Sequence, residues 1–461
     1  MRLVVPLILV AGCASPAGSD REQRILASLA DDNYLSAARD PALVDLKLKK
    51  MQRGPYEWLR GTASLFWRDL MEPGEARSGT SFGDPASSRV LLVADPHPEN
   101  VGTFRASDGT MIVDWNDFDG TGYGPFTGDL RRLGAGLVIA AQDEVLGAQL
   151  VRRAASGYAM QIAASARGER AGAVIAGVHP LLDDELDTAK SRGDRNFALD
   201  ELAPAATSSR AIAFGDLEPV APDGVLEDRV IPVEPEVADW IDRAIEQWRD
   251  GKLDPGEAKV KLRARRIGSG VSSYAVYRYN VVLEGPTGAL DDDILVELKE
   301  IREGLIIRGV PRYGAAEWRS PAARSVETQR RLQARTDADP LLGHALVGAL
   351  SLKIRDREAY QRGINREDLT ALSLGSTAER AQLADLAEVY GQLLARAHAQ
   401  AVTEDGVLGA TVIAPLLGGR EPQFADEITQ LAIADAAVVI ADHALMRDRD
   451  LFSLIVFEVA P

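Results

Sequence analysis

The chain has 461 residues, with 52 basic against 69 acidic side chains and a formal net charge of −17. So acidic a surface repels nucleic acid and anionic lipid, which excludes nucleic-acid binding from the expected functions. One cysteine permits no internal disulfide and no cysteine-based metal centre, so the fold must rest on its apolar core.

The first element is a leader. Met1 and Arg2 give a charged start, and Leu3 to Val10 form an apolar run too short to span a bilayer. Small residues Ala11 and Gly12 stand directly before Cys13. The order Val10-Ala11-Gly12-Cys13 resembles the bacterial lipobox, which implies cleavage before Cys13 and acylation of its thiol and new amino group. Residues 1–12 are therefore expected to be a signal peptide and 13–20 a lipidated tether. The expected location is the cell envelope, facing the periplasm, with the outer membrane as the anchoring surface. The plainer alternative is an ordinary cleaved signal with a chance cysteine.

Residues 21–75 read as helical and include Pro55-Tyr56-Glu57-Trp58-Leu59-Arg60-Gly61. Arg89 to Ala94 and Met111 to Trp115 are short apolar runs between turn residues, which predicts two strands. A helix is expected from Asp129, with Leu130, Leu133, Leu137 and Val138 on one face. Residues 200–235, rich in Ala, Pro, Ser and Gly, read as a long loop, and 170–235 as an insertion. Pro235 should open an amphipathic helix that ends at Gly251. An antiparallel, hairpin-rich unit is expected over 258–300, then helices near 320–335, 379–401 and 425–446. The divisions implied are 21–250, 255–360 and 361–461.

The chemistry is concentrated in Asp95-Pro96-His97-Pro98-Glu99-Asn100 and, after the next apolar run, Asp114-Trp115-Asn116-Asp117-Phe118-Asp119. An aspartate at a strand end, an asparagine five residues on, and an aspartate ending the next strand is the arrangement protein kinases use. There the first aspartate orients the attacking hydroxyl, and the other two residues hold Mg²⁺. Mg²⁺ suits such a set, because it needs only one or two carboxylates when substrate phosphates complete its shell. A second stretch, Gly268-Ser269-Gly270-Val271-Ser272-Ser273, precedes Val296-Glu297-Leu298-Lys299. It keeps two glycines and the lysine of the kinase patterns G-x-G-x-x-G-x-V and V-A-I-K. Glu327 is the candidate for the helix glutamate that pairs with that lysine. Each residue also has a plainer reading: Asp95 and Asp119 as turn residues, Asp129 as an N-cap, His398 as a packing histidine. His97 as a zinc ligand lacks a second histidine at ligand spacing.

In kinases the glycine loop precedes the catalytic loop, whereas here it follows by about 170 residues. The expected fold is therefore α+β: a two-lobed, protein-kinase-like architecture, circularly permuted. Taken together, several stretches resemble the bacterial family called "domain of unknown function 2252" over most of residues 45–455. They are Arg60-Gly61, Asp95-x-His97-x-x-Asn100-x-Gly102, Asn116-Asp117-Phe118-Asp119 and Asp129-Leu130-Arg131-Arg132-Leu133. Gly268-Ser269, Lys299-Glu300, Val326-Glu327-x-Gln329-Arg330 and Leu394-Ala395-Arg396-Ala397-His398 complete the set. The resemblance implies kinship with aminoglycoside-phosphotransferase-like kinases. The chain departs from the family pattern at Ala94 and Gly128, where glycine and tryptophan are usual, and at Gly120.

The leading expectation is a Mg²⁺-dependent phosphotransferase that uses ATP or another nucleotide on an unknown small-molecule or protein acceptor. Asp95 is its base, and Asn100, Asp114 and Asp117 are its metal ligands. Gly268, Ser269, Gly270, Lys299 and Glu327 form its nucleotide site. The alternative is a kinase-like envelope protein that binds a ligand or partner without turnover. A metal-dependent phosphohydrolase is disfavoured, because no His/Asp ligand set stands at useful spacing.

Overall fold

The computed structural model describes residues 20–71, 79–169, 172–193, 225, 229–250, 252–253, 259–287, 292–305, 318–357 and 360–450. The leader, Cys13 and most of 200–235 lie outside the described residues.

Four helices begin the fold: α1 (Asp20–Ala37), α2 (Pro41–Gln52), α3 (Pro55–Gly61) and α4 (Ala63–Met71). Pro41 and Pro55 stand in first turns, where a missing N–H costs nothing. Asp40 caps α2 by accepting from the Leu43 amide at 3.2 Å. Next come four short strands, β1 (Arg89–Leu92), β2 (Val101–Arg105), β3 (Met111–Trp115) and β4 (Gly122–Pro125). β1 pairs with β4 and β2 with β3, both antiparallel. β1 and β3 are the two expected strands. β2 and β4 are interrupted by glycines and carry too little periodicity to be read in advance.

Helix α5 (Phe126–Ala141) starts three residues before Asp129, which therefore sits inside the first turn and is not the N-cap. α6 (Glu144–Ala166) and α7 (Pro180–Gly193) follow, and then a short strand, β5 (Arg229–Ile231). That strand lies inside the stretch expected to be loop. Three residues show no periodicity of their own, and pairing with Arg265 to Ile267 makes them a strand.

A second unit is built on one antiparallel sheet in the order β5-β6-β7-β8-β10-β9. Its other strands are β6 (Val260–Ile267), β7 (Arg278–Leu283), β8 (Ile294–Glu300), β9 (Gly343–Val347) and β10 (Leu350–Asp356). Helix α8 (Pro235–Arg249) packs Ile241, Ile245 and Trp248 against one face, formed by Tyr279, Val281, Val296, Leu298, Leu352 and Ile354. Side chains alternate along a strand, so Arg278, Asn280, Glu297, Lys299, Lys353 and Arg355 all belong to the opposite face. Helix α9 (Pro321–Leu332) lies between β8 and β9 in the chain.

The remaining helices are α10 (Arg366–Leu374), α11 (Thr377–Gln400), α12 (Gly409–Leu417) and α13 (Glu421–Asp448). With α1 to α6 they enclose the larger core, which includes the fully buried Trp58, Trp67 and Trp115. α11 crosses α6 so closely that a Cβ on Gly391 would meet the Ala154 carbonyl at 1.9 Å. Among the described residues α13 is the one helix long and apolar enough to cross a membrane. Here it is a core helix: Phe424, Ile428, Ala432 and Met446 are buried, and Asp435 pairs with Arg131 at 2.7 Å in the interior.

Candidate active site

Two loops are brought together by the small strand pairs. The β1–β2 loop carries Asp95, His97 and Asn100; the β3–β4 loop carries Asn116, Asp117 and Asp119. Val101 registers against Trp115, and the Asn116 amide donates to the Asn100 carbonyl at 3.0 Å, which clips the loops edge to edge. Asn100 donates from Nδ2 to the Asp95 carbonyl at 2.7 Å, so its Oδ1 remains as an acceptor. Arg132, wholly buried on α5, donates from Nε to Asp95 Oδ1 at 2.8 Å and from its terminal nitrogen to the Leu59 carbonyl at 2.6 Å. Burial pushes the Asp95 carboxyl above its ordinary range, and the Arg132 guanidinium restrains that rise.

The backbone ahead of Asp95 is held in an uncommon conformation. Ala94 has φ +73°, in the left-handed region. The Asp129 carboxylate accepts the Val93 amide at 2.8 Å and the Ala94 amide at 3.0 Å, and it also hydrogen-bonds His398 Nε2 at 3.0 Å. His398 Nδ1 in turn meets the Tyr158 hydroxyl at 2.8 Å. The Trp67 indole donates to the Ala94 carbonyl at 2.7 Å and packs where Gly128 has no side chain, since a Cβ there would lie 2.5 Å from its ring. Trp67 thus occupies the space that any side chain at position 128 would need.

The polar face of the six-stranded sheet covers these loops. Lys299 on β8 pairs with Asp119 and lies 3.6 Å from Asp117, and Lys353 lies 3.9 Å from Asp119. Desolvation opposes ionisation of Asp117, but Lys299, Lys353 and Arg355 outweigh it and hold the carboxyl well below its ordinary value. Burial pushes Lys353 downward, offset in part by Asp119. Glu297 is fully buried beside Arg355 at 2.8 Å, Arg266 at 3.2 Å and Arg278 at 3.7 Å. Arg278 also braces the glycine turn by donating to Ser269 Oγ at 2.7 Å and Ser273 Oγ at 3.1 Å. Gly268 and Gly270 both have positive φ, +79° and +76°, which explains glycine at each. Floor and roof enclose a cleft of about 290 Å³.

Of the residues singled out in the sequence, Asp95, Asn100, Asp117, Ser269, Gly270 and Lys299 line this cleft together. Gly268 stands at its edge, shaping the turn. Two other residues lie elsewhere. Asp114 is fully buried: it pairs with Arg396 on α11 and accepts the Ala334 and Trp115 amides at 2.8 Å each. It joins β3 to α11 and to the end of α9 and does not line the cleft. Glu327 is on the outer side of α9, paired with Arg331 at 3.7 Å, and Lys299 takes Asp119 instead. Asp117 is thus the strand-end carboxylate that faces the cleft.

Among the described residues no group of three His, Cys, Asp or Glu stands at metal-binding distances. Mg²⁺ does not require one when phosphate oxygens complete its shell. The donor set fits that case: Asn100 offers a free amide oxygen, and Asp117 is a carboxylate kept ionised.

The family profile described as an uncharacterized protein conserved in bacteria (DUF2252) matches residues 39–449. The chain belongs to that family. Neither curated proteins nor solved structures gave a match. The DUF2252 match spans both the floor loops and the sheet above them, so the whole cleft lies within the family's extent.

Three cleft residues were given no site role by the sequence: Lys353, Arg355 and, although it belongs to the Arg60-Gly61 stretch, Arg60. Lys353 and Arg355 line the cleft from β10. Their trace was the alternation Ser351, Lys353, Arg355 against Leu350, Leu352, Ile354, which sets out a polar strand face without saying what it meets. Arg60 enters from α3 beside Glu99, 2.7 Å away.

Proposed function

We propose that this cleft is a Mg²⁺-dependent phosphoryl-transfer site on a permuted, kinase-like scaffold. The observation that carries the reading is the facing of an acidic floor by a cationic roof. Asp95 and Asp117 sit opposite Lys299 and Lys353, with the serine- and glycine-rich turn alongside. The glycine turn, the strand lysine and the following helix α9 occur in the order kinases use, while the Asp95–Asn100 loop precedes them all, as a permutation requires.

Asp95 would take the proton of an acceptor hydroxyl as its oxygen forms a bond to phosphorus and the donor's P–O bond breaks. Arg132 holds that carboxyl through Oδ1, leaving Oδ2 for the acceptor. The raised affinity of Asp95 for a proton suits a base. Lys299 and Lys353 would hold donor phosphate oxygens, and the 269–273 turn would close over them with hydroxyls and amides. Asn100 and Asp117 would hold Mg²⁺, which when bound neutralises phosphate charge. A nucleoside triphosphate is the donor class that the kinase likeness implies. Acylation at Cys13 would anchor the chain to the envelope membrane.

A second reading, ligand binding without turnover, draws support from Glu327. In active kinases the strand lysine pairs with a helix glutamate, whereas here Lys299 pairs with Asp119.

Thermal unfolding with Mg²⁺ and ATP, with and without Asp117→Asn, tests the site. A ligand at one hundred times its Kd stabilises the native state by about 2.7 kcal/mol. A Mg²⁺-dependent shift that the variant loses supports the reading, and phosphate appearing on an added acceptor separates transfer from binding. No shift with any phosphate compound would end it.

A further inference from the structure

Sites that accept a cofactor or drug-sized ligand are lined mainly by apolar and aromatic side chains, with a few polar groups to fix orientation. This cleft inverts that composition. Among the described residues lining it, Val271 is the one aliphatic side chain, and no Phe, Tyr or Trp takes part. A purine or pyrimidine needs a slab of apolar surface or a ring to stack on. The charged stretch of the roof has neither; Val276 and Ile301 lie past it, in an adjoining hollow beside Lys299.

What occupies the roof is charge. Glu297 lies two residues before Lys299 on the same strand face and is fully buried. It sits amid Arg266, Arg278 and Arg355, with Arg355 donating from Nε at 2.9 Å. Lys299 and Lys353 continue this face directly across from each other. Five cations therefore share this face with one buried carboxylate: three guanidinium groups surround it, and the two lysines are aimed at a floor where they meet Asp117 and Asp119. The single buried carboxylate fixes the three guanidinium groups in place rather than cancelling them. Ser269, Ser272 and Ser273 add hydroxyl donors along the glycine turn. Such a surface matches a chain of phosphates, each of which needs several cationic or N–H and O–H donors.

We propose that the ligand of this cleft is a short polyphosphate chain bound through its phosphates alone, with pyrophosphate or tripolyphosphate sufficient and no nucleobase read. This rests on the phosphoryl-transfer reading above and narrows its donor. Lys353 and Arg278 are the positions it singles out. Lys353 provides a second phosphate anchor beside Lys299, and Arg278 couples the roof to the glycine turn through Ser269 and Ser273.

The experiment is titration calorimetry of the purified protein in Mg²⁺ with tripolyphosphate, pyrophosphate, ATP and adenosine, repeated with Lys353→Met. The expected result is one saturable site at which tripolyphosphate binds within about threefold of ATP. Adenosine gives no heat, and the variant weakens tripolyphosphate and ATP by a similar factor of at least about ten. Binding of ATP more than about tenfold tighter than tripolyphosphate, or measurable binding of adenosine, would overturn the inference. The phosphoryl-transfer reading would then stand with a nucleotide donor. If no phosphate compound binds, that reading falls and the inference with it. Thermal unfolding of Lys353→Met without ligand, and tripolyphosphate binding by Arg278→Gln, separate a lost anchor from a lost fold.

Discussion

Lys353 stands directly across the sheet from Lys299, and both ammonium groups turn toward the same carboxylate, Asp119. Two cations side by side on neighbouring strands repel, and like charges directly opposite in a sheet are destabilising. The pair persists because Asp117 and Asp119 reach up from the floor to meet it. The arrangement holds charge ready for an anion that would replace the carboxylates as partners of the lysines.

Replacing either lysine by methionine should therefore weaken a Mg²⁺–phosphate ligand to a similar degree. A hydrogen bond to a charged group contributes about 1.5–3 kcal/mol, or roughly a 10–100-fold change in Kd. Calorimetric titration of both single variants and the double variant measures this. Because both lysines contact Asp119, the double variant should lose less than the sum of the two. Full additivity would show that they act at separate sites.

The aspartates at 114 and 117 should behave differently. Asp114→Asn leaves Arg396 buried without its charge partner, and breaking such a pair costs about 3–5 kcal/mol of stability. The folded fraction should still respond to Mg²⁺ and a phosphate ligand. Asp117→Asn should cost less stability than Asp114→Asn, because Asp119 still meets both lysines, and should abolish that response. Urea unfolding with and without ligand gives both quantities from one set of samples.

That contrast shows where the sequence stopped being legible. The Asp95–Asn100 spacing could be read because both residues lie on one loop and their chemistry depends on local separation. Asp114 and Asp117 lie three positions apart, one inside β3 and the other just past its end. What decides between them is Arg396, on a helix 282 residues away. Lys353 was invisible for the same reason, because its function depends on the register of β10 against β8. Glu327 was assigned from the kinase pattern, but α9 turns its Thr328 toward Thr121 and leaves Glu327 outside. Helices with a strong apolar stripe, such as α8 and α11, needed no such long-range information. β5 needed it entirely.

Ala94 offers a test of backbone strain. A non-glycine residue in the left-handed region loses roughly 1–2 kcal/mol, while glycine's extra freedom in the unfolded chain takes back about 0.5–1 kcal/mol. Ala94→Gly should therefore stabilise the protein by about 0.5–1 kcal/mol, measured as a higher urea midpoint at unchanged slope. Ala94→Val should be strongly destabilising, because a β-branched side chain at this φ has no room to relax. An unchanged midpoint in the glycine variant would mean that Asp129 and Trp67 already remove the strain.

Glu297 should set the acid limit of the sheet. Burial disfavours its charge, but Arg355, Arg278 and Arg266 together hold the carboxyl well below the usual 4.5. The sign follows from that depression: the unfolded chain binds the proton first, so the stabilisation is complete above pH 4.5 and is lost as pH falls through the folded-state value. Glu297→Gln should be about 3–5 kcal/mol less stable at pH 7, with three guanidinium groups left facing a neutral amide. Below pH 4.5 the gap between wild type and variant should close by up to about 1.4 kcal/mol per pH unit. Urea unfolding of both proteins between pH 3 and pH 7 decides it. A gap that stays constant down to pH 3 would show that Glu297 carries no proton-linked stability there. The arginines would then have to be neutralised from the floor of the cleft.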